Sequence, residues 1–448
     1  MQGKLFDGDP LGEVVVESTK IIPAHEIKKT VVRVKHPGRM ALPAHLRRQE
    51  IVLEPTEDVS NLTPIGQEIT EVLEYQQAEL FVKKYIRNEY LQASADGLQA
   101  KRIIATVPNM PIAKSYVSAS LLSQLMVGKF VDHLPIYRQL QIFARQKVTI
   151  PESTVVNWIR EGCKLLHPLY SVFEKQVLAT KYLNVDETTV KVLDKTKKGT
   201  THKGYYWVFF NTLAKTVLFK YNSSRSGVCP KETLQGYQGY LHADGYGVYE
   251  EFEKIDGITV LNCWAHARRK FFDAQSFDKI KCEIVLTEIQ KLYTIERHCK
   301  DQNLNAEQIK VYRQTHAQTI LNTLLPVLQS MLNTTTPKSP LGMALQYTLN
   351  RWDKLNIYTS DGNLTIDNNL VENSIRPIAI GRKNYLFAGN HHAAENSAML
   401  YSFFATCKLY NVNPIDWLTY VLDNINDCKM NNLESLLPQN YAKLVEGK

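Results

Sequence analysis

The sequence predicts an α/β fold in which a mixed sheet is preceded, interrupted and followed by helical regions. Runs rich in β-branched and aromatic residues cluster between residues 181 and 266, which is typical of strands. Runs with apolar residues three and four positions apart lie on either side, which is typical of amphipathic helices. A chain of 448 residues favours about three domains. The 44% hydrophobic and 22% charged residues argue against a disordered class.

The N-terminal part, residues 1–95, is predicted to form a small module of short strands and turns with an exposed basic arm. Alternating apolar residues at 30–36 and 50–55 indicate strands, and Pro37-Gly38 indicates a turn. Eight lysines and arginines lie between Lys20 and Arg48. The whole chain carries a net charge of +8, which permits binding to a polyanion without requiring it.

The next part, residues 96–180, is predicted to be a helical region with the outline of a helix-turn-helix. An amphipathic run at 134–146 is followed by a break at 148–152 and by a second helical run. Ser153 is the expected N-cap of the second helix. Such a pair is typical of a DNA-reading unit. It is also typical of two ordinary packed helices, and the sequence leaves both interpretations open.

Residues 181–275 and 356–410 are predicted to form the core. The first segment gives three strands, a helix, a strand, a helix and a strand, which matches the order of an RNase H-like sheet. Residues 276–355 are predicted to be a helical insertion, and residues 411–448 a helical tail. In the second core segment, residues 367–377 are expected to form a short helix ending near Pro377. Residues 379–390 are then expected to be strand or loop.

Two aspartates lie where strands of this core are interrupted or end. Asp186 interrupts an apolar strand run, where burying a charge without a partner costs free energy. Asp244 ends another strand run, directly before Gly245. Because the ends of neighbouring strands can lie side by side, the two carboxylates can converge on one point. They are therefore candidate catalytic or metal-binding residues.

A third carboxylate, Glu372, lies on the predicted short helix. Asn369, Asn373 and Arg376 stand three or four positions from one another or from Glu372, so these residues share one face. The opposite, packed face is expected to carry Ile366, Leu370 and Ile375.

The three carboxylates suit Mg²⁺, which prefers oxygen ligands and retains water. Two Mg²⁺ ions about 4 Å apart, with Mn²⁺ as an alternative, would clamp the attacking and leaving oxygens of a displacement at phosphorus. In this hypothesis Asp186 bridges both ions, and Asp244 and Glu372 each hold one.

Basic residues flank the same motifs and are candidate contacts to DNA phosphates. Adjacent helical residues point in different directions, so at most one of Arg268 and Arg269 is expected to reach the catalytic cleft. The candidates are Arg268, Arg269, Lys270, Arg376, Arg382 and Lys383.

Targeting and redox features are few. None of the seven cysteines forms a C-x-x-C pair, which favours reduced thiols in a cytosolic chain. The first residues do not read as a signal peptide, and no apolar run is long enough for a membrane span.

Several segments resemble the insertion sequence 66 family of DDE transposases. They are VDETTV around Asp186, ADGYGVY around Asp244, CWAHARRKFFDA at 263–274 and DNNLVENSIRPIAIGRKNYLFAGN at 367–390. The last two are long and specific, and GRMALPAHLRRQEIVLEP at 38–55 resembles the family's N-terminal region. The resemblance implies a bacterial DNA transposase with an RNase H-like catalytic core. It also implies that Asp186, Asp244 and Glu372 form the metal-binding triad.

The resemblance implies partners as well. They are the element's terminal inverted repeats, target DNA and two small accessory proteins of the same element. Synapsis of two ends implies a homodimer or larger assembly on DNA, in the cytoplasm at the bacterial nucleoid.

One motif and two departures bear on metal binding and completeness. Cys263 and His266 form a C-x-x-H pair. A zinc site needs about four ligands, so the pair is expected to be structural or to contact DNA ends, with Trp264 in the core.

The counterpart of the family's cysteine-rich zinc-binding segment has no cysteine before Cys163. The longer helical leader of many relatives is also lacking, which favours a shorter lineage or a truncated copy.

Two alternatives remain open on the sequence. The first is a nuclease or junction resolvase on the same fold, which cleaves DNA without joining it. The second is a catalytically inactive DNA-binding remnant of an element.

Overall fold

The structure, a computed structural model, describes a C-terminal unit of the chain. The chain divides into the units Met1–Glu79 and Leu80–Lys448. The predicted N-terminal strands, their turn and the basic arm lie outside the described residues. The described ranges are 80–86, 89–93, 100–104, 110–194 and 199–446.

The described part opens with a hairpin of β1 (Glu89–Ala93) and β2 (Ala100–Ile104), which pair antiparallel. The hairpin spans the boundary that the sequence predicted at residues 95 and 96. Helices α1 (Ala119–Phe130), α2 (Ile136–Arg145) and α3 (Glu152–Leu178) follow.

The predicted N-cap of α3 is wrong. The helix begins one residue before Ser153, at Glu152, and Pro151 occupies the cap position with φ −59°. Proline fixes φ near the helical value and lacks the N–H that a helix start leaves unpaired, so it starts α3 without a side-chain cap. The apolar face of α3 is buried, and it includes Val155, Trp158, Cys163, Leu166 and Phe173.

A five-stranded mixed sheet forms the centre of the described unit, in the predicted order of strands and helices. The strands lie side by side as β5-β4-β3-β6-β7. The first three neighbours pair antiparallel, whereas β3, β6 and β7 run parallel. The elements are β3 (Tyr182–Leu193), β4 (Thr201–Asn211), β5 (Thr216–Asn222), α4 (Val228–Thr233), β6 (Gly239–Ala243), α5 (Gly247–Glu250) and β7 (Ile258–Asn262).

A helical segment follows β7, and its helices pack around an apolar cluster that also includes Tyr182 of β3 and Leu261 of β7. Arg313 is buried there, with its guanidinium bound to Glu296 at 2.6 Å and to the carbonyls of Tyr358 and Asp361. This pairing satisfies a buried charge and ties the insertion to the segment that returns to the core. The helices are α6 (Trp264–Asp273), α7 (Lys279–Asp301), α8 (Ala306–Tyr312), α9 (Gln318–Asn333), α10 (Pro340–Asn350) and α11 (Trp352–Asn356).

The helix that carries Glu372, α12 (Asn369–Tyr385), is longer than predicted. It passes through Pro377, and the predicted end there is wrong. Proline removes one helical hydrogen bond, to the carbonyl of Asn373. Asn373 is exposed, so water can satisfy that carbonyl. The assignment of residues 379–390 to strand or loop therefore fails through Tyr385. Leu370, expected on the packed face, is 38% exposed, and Val371, Ile378 and Gly381 are buried instead.

Three further helices complete the unit: α13 (His391–Leu409), α14 (Pro414–Asn424) and α15 (Pro438–Glu446). Helix α13 covers the edge strand β5, because Ser402 and Thr406 accept the backbone N–H groups of Phe219 (2.8 Å) and Val217 (3.2 Å). An edge strand closed in this way does not pair with another chain. Among the residues that the structure describes, no helix combines the length and apolar character that a membrane crossing requires.

Candidate active site

Asp186 and Asp244 lie at the point where β3 and β6 stop pairing. The parallel register sets Asn184 beside His242, and two further steps along each strand bring Asp186 level with Asp244. Neighbouring strands are about 4.8 Å apart. The two carboxylates therefore lie side by side on the same face of the sheet. The pKa of the Asp186 carboxyl is raised well above its ordinary value of 3.8, first by burial and next by the charge of Asp244. The structure therefore brings the two predicted aspartates together.

The turn after Asp244 depends on glycine and on the helical insertion. Gly245 has φ +93°, and a Cβ there would lie 2.6 Å from Nε of Arg351. The Tyr347 hydroxyl donates to the Asp244 carbonyl at 2.7 Å, and Arg351 donates to the Gly245 carbonyl at 3.1 Å. Helix α10 and the residue after it thus fix the backbone that carries Asp244. Neither Tyr347 nor Arg351 was predicted, because no pattern in the sequence links them to residues about a hundred positions away.

Asn368 anchors the start of α12 to the same strand as Asp186. Its side chain accepts a hydrogen bond from Asn184 Nδ2 and donates one to the Val185 carbonyl, both at 2.8 Å. Its backbone N–H donates to Cys263 Sγ at 3.2 Å. Asn184 and Asn368 are completely buried. These bonds fix the helix start that carries Glu372, one turn further along α12, near Asp186.

A polar network holds the segment that leads into α12. The Tyr182 hydroxyl contacts Thr365 Oγ1 at 2.7 Å and His242 Nδ1 at 3.0 Å. Burial lowers the pKa of His242 to about 3, so the ring is neutral and suited to these bonds. The same burial makes this network a support for the site rather than a proton donor within it.

Glu372 lies in the first turn of α12, where the helix dipole favours a negative charge. Its nearest basic side-chain atoms are His266 Nε2 and Arg269 Nη2, each 3.8 Å from a carboxylate oxygen. Both distances exceed a hydrogen bond, and Oε1 is buried without a hydrogen-bond partner. The carboxylate is therefore close to the site but is not fixed by a tight bond.

Cys263 and His266 have different surroundings. Cys263 is completely buried, and burial raises the pKa of its thiol to about 12. A thiol in this state is neutral. It serves as the acceptor for Asn368. Trp264 is completely buried, as predicted, and its Nε1–H donates to the Leu355 carbonyl.

A second buried acid, Glu187, lies beside Asp186 and was not predicted. Its Oε1 is bound by the Arg225 guanidinium, and its Oε2 accepts from the Tyr249 hydroxyl at 3.0 Å. Burial raises the pKa of Glu187, and Arg225 opposes that shift. Arg225 also stacks on Tyr246, 3.9 Å from the ring centre. This cluster joins the middle of β3 to the turn after β6, and the adjacency of Glu187 to Asp186 was the only sequence signal for it.

The predicted phosphate contacts divide into two groups. Arg268, Arg269 and Lys270 are exposed on α6, and Lys270 lies 4.6 Å from the centre of the Tyr347 ring. On α12, Arg376 and Lys383 are exposed. Arg382 instead donates to the Thr189 carbonyl at 2.6 Å and to its hydroxyl at 2.9 Å. Its guanidinium is thus engaged with β3.

The donor chemistry fits a hard divalent cation. Asp186 is a half-buried carboxylate among like charges, and Glu372 presents a buried oxygen without a partner. Oxygen donors of this kind suit Mg²⁺. Within the described residues, no three side chains of His, Cys, Asp or Glu are close enough together to hold one ion. The structure thus brings Asp186 and Asp244 together. Glu372 lies nearby, but the three carboxylates are not close enough together to hold one ion.

Comparisons with known proteins agree on one family. The sequence pattern described as "Transposase IS66 family" matches residues 114–396, and "IS66 C-terminal element" matches residues 402–439. Two similar proteins of Sinorhizobium fredii (strain NBRC 101917 / NGR234) are named "Uncharacterized protein y4jD" and "Uncharacterized protein y4qI". The first is 30% identical over 425 residues, covering 89% of this chain and 81% of its own length. The second is 30% identical over 429 residues, covering 90% and 77%. No solved structure matches.

Proposed function

This chain belongs to the IS66 family of transposases, and we propose that it cleaves DNA at the ends of an insertion element and joins the freed 3′-hydroxyl to target DNA. Asp186, Asp244 and Glu372 are its catalytic carboxylates in this proposal. The observation that carries it is the proximity of Asp186 and Asp244 just beyond the paired parts of the parallel strands β3 and β6, together with a helix start that Asn368 ties to β3.

The proposed core is RNase H-like. Its support is the sheet order β5-β4-β3-β6-β7, with antiparallel pairing on one side of β3 and parallel pairing on the other. In this arrangement the central strand β3 supplies Asp186, and the turn directly after the neighbouring β6 supplies Asp244. Helix α12 supplies Glu372 from a different part of the chain.

Asp186, Asp244 and Glu372 would hold Mg²⁺, with Mn²⁺ as an alternative, and in this proposal two ions are held. Bound there, the metal supplies a Lewis acid for the phosphate oxygens and an activated oxygen nucleophile. The chain's own residues position the carboxylates: Asn368 fixes the start of α12, and Tyr347 fixes the backbone of Asp244. Glu372 makes no contact shorter than 3.8 Å with His266 or Arg269, so its side chain is free to turn toward the aspartates.

Both proposed steps are displacements at phosphorus. In the first, a water oxygen bonds to phosphorus and the bond to the 3′-oxygen breaks, which frees a 3′-hydroxyl. In the second, that 3′-oxygen bonds to a target phosphorus and loses its proton, while a 3′-oxygen of the target leaves and gains one. Each step makes one P–O bond and breaks one, so neither an oxidant nor a covalent protein intermediate is required.

Family membership implies DNA as a partner. The more specific partners remain proposals: the terminal inverted repeats, a homodimer or larger assembly on DNA, and small accessory proteins of the same element. The helix pair α2 and α3, with the N-terminal basic arm, is proposed to bind the repeats. Arg376 and Lys383 are exposed on α12 and are proposed to contact phosphates beside Glu372.

The proposal is tested by strand transfer with a pre-cleaved element end and a plasmid target, in Mg²⁺ and in EDTA. We expect metal-dependent joining by the wild type and none by Glu372→Gln. Glu395→Gln is the matched control, because Glu395 is an exposed carboxylate on α13 that pairs with His392. Cleavage of intact ends without joining of pre-cut ends would instead indicate a nuclease.

A further inference from the structure

An open groove of about 620 Å³ runs beside the candidate site, between α6, the insertion helix α7 and the start of α12. Three arginines line it: Arg268 and Arg269 from α6, and Arg297 from α7. Arg269 also lies 3.8 Å from Glu372, so the groove leads to that carboxylate. We propose that this groove binds one unpaired DNA strand next to the scissile phosphate and that α7 supplies its second wall. The inference rests on the proposed function.

The charge of the groove fits a phosphate backbone. Three arginines face one acid, Asp273, which leaves two positive charges. Arg268 and Arg297 are exposed, and neither forms an ion pair with another described residue. Their guanidinium groups are therefore available for phosphate oxygens, which arginine binds in a bidentate manner. A cationic groove of this kind follows the backbone of nucleic acid irrespective of its sequence.

Aromatic residues in the groove favour an unpaired strand over a duplex. Phe272 is 56% exposed, and Tyr293 lines the same groove. A duplex hides the faces of its bases inside the stack, whereas an unpaired base can lie flat on an exposed ring. The Tyr293 hydroxyl lies near the Asp367 carboxylate, which places this ring beside the start of α12. The combination of exposed ring and free arginines matches the chemistry of single-strand binding.

The test is equilibrium binding of the full-length protein in EDTA, where no cleavage occurs. The probes are a fluorescent single strand of about ten nucleotides and the duplex of the same sequence, each at several salt concentrations. Arg297→Gln is compared with Lys300→Gln, which removes one charge from an exposed position on the same helix outside the groove. Circular dichroism of each variant verifies its folding.

We expect Arg297→Gln to weaken single-strand binding and to reduce the slope of log K against log salt by about 0.7, the value of one phosphate contact. Lys300→Gln should leave both unchanged. Phe272→Ala should weaken binding about fivefold or more at an unchanged slope, as expected for a stacked base. The inference would be overturned if Arg297→Gln and Lys300→Gln changed single-strand binding equally. It would also be overturned if Arg297→Gln weakened duplex binding more than single-strand binding.

Joining assays on the same variants separate this inference from the proposed function. A wild type that binds the strand through Arg297 but never joins ends would keep the groove and reject the transposase mechanism. A wild type that joins ends, with Arg297→Gln indistinguishable from Lys300→Gln in both assays, would reject the groove alone.

Discussion

Replacing Asn368 with alanine tests how Glu372 is brought to the aspartates. The substitution removes two side-chain hydrogen bonds of 2.8 Å, one from Asn184 Nδ2 and one to the Val185 carbonyl. The backbone bond from residue 368 to Cys263 Sγ does not depend on the side chain. Asn368→Ala therefore loosens the link between β3 and α12 without removing a catalytic group.

The expected cost follows from burial. Asn184 and Asn368 are completely buried, so the donor and the acceptor that are left behind have no access to water. An unpaired buried polar group costs about 1–3 kcal/mol. Two of them should lower the free energy of unfolding by about 2–6 kcal/mol. A shift of Glu372 by about 1 Å should also reduce the joining rate about 100-fold.

Urea unfolding followed by tryptophan fluorescence measures the first quantity, and single-turnover strand transfer measures the second. Asn373→Ala is the matched control, since this asparagine of α12 is exposed and its side chain has no hydrogen bond to a described residue of either strand. A stability loss in Asn368→Ala no greater than that of the control would refute the role assigned to the Asn184–Asn368 bond. So would a joining rate equal to that of the wild type.

Three further predictions concern the same site. Gly245→Ala should abolish joining, because φ is +93° and the new Cβ would lie 2.6 Å from Arg351 Nε; retained joining would contradict the assigned geometry. Asp186→Asn should abolish joining yet stabilise the fold. The folded pKa of Asp186 is raised above its ordinary 3.8, so the folded state holds this proton more tightly and the wild type loses stability as pH rises. The excess stability of Asp186→Asn should accordingly grow as the pH rises above the ordinary pKa of 3.8, measured by thermal unfolding, and a constant or shrinking difference would contradict it. Arg225→Gln should destabilise the protein and slow joining, because Glu187 loses its ion-pair partner. Arg160→Gln, which removes an exposed ion pair on α3, should do neither. Equal unfolding midpoints of the two variants would argue against the role of the Glu187 cluster.

The order of strands and helices in the core was predictable because each strand is a local pattern. Phe209 and Phe219 lie in runs of β-branched and aromatic residues, and such runs were identified correctly as strands. The sites of Asp186 and Asp244 followed from the same patterns, because a charge within or just after an apolar run is a local anomaly. Trp264 was likewise predicted to be buried, and it is.

Other features depended on tertiary contacts that local patterns do not contain. Pro377 predicted the end of a helix, yet the helix continues, because the carbonyl that loses its bond belongs to the exposed Asn373. Arg351 lies far along the chain from Gly245, and only the packing of the insertion brings the two together. Asn368 reads as one polar residue among several, and its buried position is set by Asn184 on a distant strand.

The most direct test of the central claim asks whether Asp186, Asp244 and Glu372 share one metal site. Fe²⁺ bound in place of Mg²⁺, with ascorbate and peroxide, releases hydroxyl radicals that cut the nearby backbone. The fragments, mapped by mass spectrometry, should end close to residues 186, 244 and 372. They should vanish in Asp186→Asn and persist in Glu395→Gln. Cuts elsewhere in the chain, or cuts at these positions that survive Asp186→Asn, would contradict a shared site.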